Sequence, residues 1–410
     1  MTNTTSNRNT LFRVFFTLFI DFFGFGLIAP VLPFVFSMDE TGLFRDSFPP
    51  ETLTFLYGIV IGGYSLGALF GSPILGMVSD WKGRRKILMF ANLMSGTAYL
   101  LAGFGIFWVS FWLIFAGRLM SGILGTTLNT VQAALADVSD EKNKAKNFGL
   151  TGVAFGLGFV TGVGFMVFLS GFEWFSYELA FVLGGLLNFC NIFYIKFFFP
   201  ETLQTKAPVR KISWLTGIRN AQKAFIYPSF RLIFMVIFML TIALAFFSQF
   251  FQFYLIEVFE YNVQQVGLIF MYIGVLIALS QGVFLRPIAN RMSPDKILSW
   301  SIPFFGLSFL LILLPKTTLT LYMVLPIMIF FQGITFPSSL AVVSNLADDS
   351  IQGEVIGINQ AIQSLCNALP AILFGAAVGI NVRFPMLFGA GCCLIAWMIL
   401  LRFMKEKNGE

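Results

Sequence analysis

The chain has 410 residues, 57% hydrophobic and 11% charged, with a formal net charge of +6. Soluble domains carry about a quarter charged residues, so this composition points to a polytopic membrane protein. There is no histidine, the four cysteines lie in apolar runs without metal-ligand spacing, and no Gly-rich loop ends in Lys-Ser or Lys-Thr; histidine-based hydrolysis and zinc sites, a disulfide framework and ATP as direct energy source are therefore excluded.

A membrane-crossing helix needs about 20 predominantly apolar residues. The apolar runs predict twelve such helices, at 11–36, 53–78, 87–105, 108–134, 146–170, 178–199, 230–256, 265–288, 297–315, 318–342, 354–380 and 382–404. The first run is too long for a signal core and lacks a small-residue cleavage site. Within it Asp21 is the one carboxylate in the middle of any helix of the first half. Intramembrane acids usually face a bundle interior and mark ion paths. Apolar surroundings also disfavour the charged form of a carboxyl, which makes Asp21 a candidate to bind and release a proton. A structural partner for Arg118 or for helix backbone is the other reading. Gly24, Gly26, Pro30 and Pro33 allow this helix to bend beside a cavity.

Residues 76–86 read GMVSDWKGRRK. Four cations in so short a connection predict a tight loop on the cytoplasmic face. Gly76 and Gly83 would let two helix ends approach, and Asp80 would bond Arg84, Arg85 or a helix N-terminus. A plain positive-inside turn is the alternative. Arg118, in FAGRLMSGILG, opens the fourth helix. It requires a carboxylate, backbone or water partner, unless it snorkels to the outer interface. Asp137 closes that helix. The fifth carries Gly149, Gly152, Gly156, Gly158, Gly162 and Gly164, small residues that favour close helix packing in a bilayer.

Residues 200–229 form the longest polar stretch and divide the chain into a bundle at 1–199 and another at 230–410. Trp214 and the interleaved cations there suit a helix lying on the membrane surface. The second half has no mid-membrane acid; Gln249, Gln252, Gln332, Asn359, Gln363 and Asn367 are its candidate cavity groups, or else amides that bridge helices. Cations concentrate before the first helix, after the fourth, in 200–229, near the 8–9 turn and at the end, which places both termini in the cytoplasm of a cell whose plasma (inner) membrane the chain spans. Acids at 348–354 go against that bias.

The halves look duplicated. Tyr57-Gly58-Ile59 resembles Val266-Gly267-Leu268, Lys86-Ile87-Leu88 matches Lys296-Ile297-Leu298, Ser121-Gly122-Ile123 resembles Gln332-Gly333-Ile334, and Leu135-Ala136-Asp137 matches Leu346-Ala347-Asp348, at offsets of 209, 210, 211 and 211. Two six-helix repeats suit a transporter that rocks one half against the other.

The order Gly, two spacers, Ser-Asp, two spacers, Gly-Arg-Arg resembles the loop between helices 2 and 3 of the major facilitator superfamily, although Trp81 stands where that family usually has Arg. The Asp21 run with Pro30-Val31-Leu32-Pro33, the Arg118-to-Gly122 spacing and the glycines of helix 5 resemble the tetracycline-resistance and multidrug proton antiporters of that superfamily. Pro200-Glu201-Thr202-Leu203 resembles the end of helix 6 in many members and marks the boundary of the first half. The resemblance implies an all-α major facilitator fold with twelve transmembrane helices in two six-helix pseudo-repeats. It implies proton coupling through Asp21 and Arg118, and a cytoplasmic gate at Gly76, Asp80, Gly83, Arg84, Arg85 and Asp137, Asp137 also reading as a plain loop acid. The helix 5 motif departs from the family's at Gly162-Val163, where Gly-Pro is usual. The expectation is therefore a monomeric secondary transporter, not an enzyme, without cofactor, metal or nucleic acid, that exports small amphipathic compounds by alternating access. A proton-coupled importer of a metabolite is the alternative, and a receptor without transport the third reading.

Overall fold

The computed structural model describes residues 2–37, 42–138, 144–203, 215–226, 228–346 and 352–408, and all its regular elements are helices. In order they are α1 (Thr2–Ile28), α2 (Leu32–Val35), α3 (Pro50–Lys82), α4 (Arg84–Phe107), α5 (Phe111–Leu124), α6 (Leu128–Asp137), α7 (Lys144–Leu169), α8 (Tyr177–Phe198), α9 (Thr216–Ile226), α10 (Pro228–Phe259), α11 (Val263–Leu279), α12 (Leu285–Ala289), α13 (Pro294–Leu311), α14 (Thr318–Leu346), α15 (Gln352–Ile380) and α16 (Phe384–Asn408). A π-helical turn at Ser280–Phe284 joins α11 to α12. Among the described residues eleven helices are long and apolar enough to cross a membrane. The remaining predicted span, 297–315, is occupied by α13, whose first turn carries Asp295 and Lys296 and which packs against α14 and α16.

Three predicted elements differ in form. The stretch 76–86 is not a loop. Helix α3 runs through Lys82, the Ser79 hydroxyl donates to the Gly76 carbonyl and the Gly83 N–H donates to the Ser79 carbonyl, so helical bonding continues to the turn itself. The connection is Gly83 alone, at φ 104° and ψ 145°, a region open in practice only to glycine. Gly76 lies inside the helix with nothing within 4 Å of where a Cβ would stand, so it mediates no close approach. The span predicted at 108–134 is broken between α5 and α6 at Gly125–Thr127. There the Ser95 hydroxyl donates to the Gly125 carbonyl at 3.0 Å and satisfies an acceptor that the break sets free. The first span is likewise interrupted between α1 and α2, at Pro30.

Two seams join the helices before α9 to those after it. Along α3 and α15, a Cβ on Gly58 would fall on the Ala371 carbonyl, and Gly375 and Gly379 lie against the backbone of Thr54 and Glu51. Along α7 and α11, Gly267 meets Val167 and Met166, and Gly274 meets Val160. Gly58 and Gly267 are paired positions of the predicted repeat, so the same small residue serves both seams. At the Pro50 end of α3 both seams are closed. Towards the Gly83 end, Gly152 and Gly156 on α7 and Gly282 in the π-helical turn have nothing within 4 Å of where a Cβ would stand. Close packing predicted for the whole glycine series of α7 is seen only over its second half, and the surroundings of Gly149 lie outside what is described.

Helix α9 does not lie apart on a surface. Gly217 abuts the backbone of Leu69, and Ala221 packs with Leu69 and Ala361, so α9 touches both α3 and α15. Trp214, Asp348 and Asp349 are outside the described residues.

Candidate functional site

The Gly83 end of the molecule carries one charge cluster. Arg84, buried, donates from Nε to Asp137 Oδ2 at 3.0 Å and from a terminal nitrogen to the Ser79 hydroxyl at 2.6 Å, and pairs with Asp80. Its backbone N–H donates to Glu201 Oε1 at 2.9 Å, and Thr202 donates to Asp137 Oδ2 at 3.1 Å. Four segments therefore meet at one arginine: the end of α3, the start of α4, the end of α6 and the chain after α8. The planar fork of arginine reaches acceptors spread around three nitrogens, whereas an ammonium presents its three donors from one point. A Cβ on Gly83 would collide with the Glu201 carboxylate. Arg85 instead donates to the carbonyl of Lys196 on α8. All of these partners precede α9. Across the two sets of helices at this end, Gln360 Nε2 donates to Gln132 Oε1 at 3.0 Å.

Deeper in the same bundle, Asp21 on α1 accepts from the Thr127 hydroxyl at 2.7 Å and from Asn191 Nδ2 at 2.9 Å. Thr127 is delivered by the break between α5 and α6, and Asn191 by α8. Gly158 and Gly162 on α7 lie against the backbone of Phe19 and Phe23, so α7 and α1 approach closely at the turn that carries Asp21.

Arg118 lies in the middle of α5, not at its opening, and is 4% exposed. It does not snorkel. Its guanidinium sits over the Tyr64 ring at 4.8 Å, a cation–π contact, and its Nε has no hydrogen-bond partner among the described residues. Asp21 and Arg118 form no ion pair with each other among the described residues.

The second-half amides are spread out. Gln249 Nε2 donates to the Asn367 carbonyl at 2.8 Å, and the Gln249 carbonyl accepts from the Tyr57 hydroxyl at 2.9 Å, which makes Gln249 a bridge from α10 to α15 and α3. Gln252 and Asn359 are buried, Gln332 is half-buried and Gln363 is exposed. The Oε1 atoms of Gln249, Gln252 and Gln332 have no partner among the described residues. Four groups that matter here are not singled out by sequence pattern. Glu201 and Thr202 read as a boundary marker, and Asn92 and Asn191 are single amides in apolar runs; an intramembrane amide is the signal that could have found the latter pair.

The family model of the Major Facilitator Superfamily matches residues 14–371, and a second match covers 283–408. The chain belongs to the Major Facilitator Superfamily. It is 27% identical over 367 residues to the class C tetracycline resistance protein of Escherichia coli, covering 88% of this chain and 87% of that protein. Multidrug resistance protein 2 of Bacillus subtilis (strain 168) is 22% identical over 416 residues, covering 100% of this chain and 99% of that protein. Among solved structures, the human organic anion transporter MFSD10 (TETRAN) superposes with a TM-score of 0.73 at 20% identity, over 96% of this chain and 99% of that one. A POT family transporter in complex with a thioalcohol-conjugated peptide gives 0.75 at 13% identity, over 97% and 96%. At those identities the superpositions bear on fold. With the family match, they make this an all-helical transporter of small molecules that spans a membrane.

Proposed function

We propose that this transporter is a proton-coupled exporter of small amphipathic compounds that works by alternating access. The observation that carries the reading is Asp21, an acid in the middle of a membrane span, held by two neutral donors and, among the described residues, by no cation. A carboxyl so held is free to exchange a proton without first breaking an ion pair. Relatives named for tetracycline, multidrug and quinolone resistance support export of amphipathic compounds.

Residues 1–199 and 230–410 serve as the two rocking bundles, with 200–229 between them. The Gly83 end faces the cytoplasm, together with both termini. The sealed Gly58 and Gly267 seams suit a state closed on the outside. Asp80, Gly83, Arg84, Arg85 and Asp137 brace the cytoplasmic ends of the first bundle. Gln252, Gln332, Asn359 and Gln363 supply polar contacts to substrate from the second; the Gln249 side chain reaches the seam instead. Val163, at the position where the drug-exporter motif has Pro, packs within the core at the α7 seam.

The test is a screen of amphipathic compounds in proteoliposomes with an imposed pH gradient. Accumulation of a compound against its gradient, in exchange for protons, is expected. Uptake driven by protons moving in the same direction as the compound would establish the symporter in its place.

A further inference from the structure

Asn191 is fully buried on α8, with one atom over-subscribed and another idle. Its Nδ2 lies 2.9 Å from Asp21 Oδ1, 3.1 Å from Asn92 Oδ1 and 3.2 Å from the Thr17 carbonyl. An amide nitrogen has two hydrogens, so three acceptors converge on two donors. Its Oδ1 has no partner among the described residues. A buried acceptor left unmet is costly. The Asn92 nitrogen itself donates one hydrogen to the Leu88 carbonyl at 3.0 Å.

This arrangement suits a charged Asp21; the Thr127 hydroxyl can turn to accept from a proton on Oδ2, but a proton on Oδ1 meets only the Asn191 nitrogen. A carboxylate accepts only, and Thr127 and Asn191 supply its donors. A protonated carboxyl carries a hydrogen that needs an acceptor. The idle oxygen of Asn191 is on the amide already in contact. We propose that Asn191 is the positioning residue that registers the protonation of Asp21: its nitrogen serves the carboxylate, and after a half-turn of the amide its oxygen accepts from the protonated carboxyl. The proposal rests on the reading of Asp21 as the proton site.

The half-turn has a consequence for packing. While the nitrogen faces Asp21, Asn191 also ties α8 to the backbone of α1 at Thr17 and to α4 at Asn92. Turning the amide removes both ties as the proton arrives from water onto an Asp21 oxygen. A proton on α1 is thereby converted into a loosening of α1, α4 and α8, within the bundle whose motion transport requires. The other ionisable groups in electrostatic reach of Asp21 are Tyr64 on α3 and Tyr99 on α4, with Arg118 of α5 over the Tyr64 ring. None of them is bonded to the Asp21 carboxyl in the described residues.

The test uses the full chain in lipid nanodiscs and the proton itself as probe, so no substrate has to be known. Infrared difference spectra between high and low pH are recorded for the wild type, Asp21→Asn, Asn191→Leu and the exchanged pair Asp21→Asn with Asn191→Asp. In the wild type a protonated-carboxyl band is expected with a side-chain amide change. Asp21→Asn should abolish both. Asn191→Leu should keep the carboxyl band, move it towards the position of an unbonded carboxyl and lose the amide change. The exchanged pair should recover a carboxyl band together with an amide change, the amide now being carried by α1 and the carboxyl by α8. If the carboxyl band has the same position in the wild type and Asn191→Leu, the inference about Asn191 is overturned while the proton site stands. If Asp21→Asn leaves the band in place, the proton site itself is wrong. Should Asn191→Leu fail to fold, the exchanged pair decides: no recovered band overturns the inference.

Discussion

Arg84→Lys separates a topology signal from a structural fork. The substitution keeps the positive charge that positions the turn, so a plain positive-inside role predicts no effect. The structure predicts a large one. Arg84 serves Asp137, Ser79 and Asp80 from one planar group, and its side chain is 6% exposed against 20% for Asp137 and 46% for Asp80. An ammonium has three donors but a single nitrogen, and from one point it does not span acceptors that Arg84 reaches from Nε and a terminal nitrogen. A hydrogen bond to a charged group is worth about 1.5–3 kcal/mol. The Asp80 arm is discounted to about 0–1 kcal/mol, because that carboxylate is half in water. Losing the Ser79 arm and most of the Asp80 arm therefore costs about 2–3 kcal/mol. Thermal unfolding of the purified protein in detergent, followed by helical circular dichroism, should show a lowered midpoint for Arg84→Lys, close to that of Arg84→Ala. An Arg84→Lys protein as stable as the wild type, while Arg84→Ala is destabilised, would refute the fork and leave only charge.

Gly83→Ala should destabilise by about 1–3 kcal/mol from backbone strain alone, and more once Glu201 is displaced; an unchanged unfolding midpoint would contradict the turn geometry. Gly58→Val, on a cysteine-free background with Thr54→Cys as reporter, overpacks the α3–α15 seam. At about 1–3 kcal/mol the closed form should lose roughly five- to 150-fold in relative population, read as faster labelling of the introduced thiol by an impermeant reagent. Equal labelling rates would show that the seam does not hold the closed form. A cysteine placed at Thr41 should react from outside the cell and one placed at Ala207 should not; the reverse pattern would invert the orientation.

Much of the fold was legible because a bilayer makes hydrophobic length and loop charge the controlling features of a sequence. The repeat read from Gly58 and Gly267 falls, in the structure, on two matching seams. What escaped was settled by tertiary contact. Gly76 looks like a turn residue in sequence, but nothing approaches it and the helix simply continues. The break at Gly125–Thr127 lies inside a run that reads as one span, and its freed carbonyl is satisfied by Ser95, 30 residues away. Glu201 meets Arg84 across 117 residues, and Asn191 meets Asn92 across 99. No local pattern encodes such pairs. Residue identity alone also could not decide between pairing and separation for Asp21 and Arg118; the structure gives the first to Thr127 and Asn191, and the second to Tyr64.

That Asp21 carries the coupling proton is tested most directly by measuring proton flux and substrate flux together in proteoliposomes, wild type against Asp21→Asn. The wild type is expected to move protons against substrate and to concentrate it on a pH gradient. Asp21→Asn, fixed in a neutral form, should still bind and exchange substrate across the membrane but neither move protons nor concentrate the compound. Full gradient-driven transport by Asp21→Asn would contradict this role and move the proton to another carboxylate.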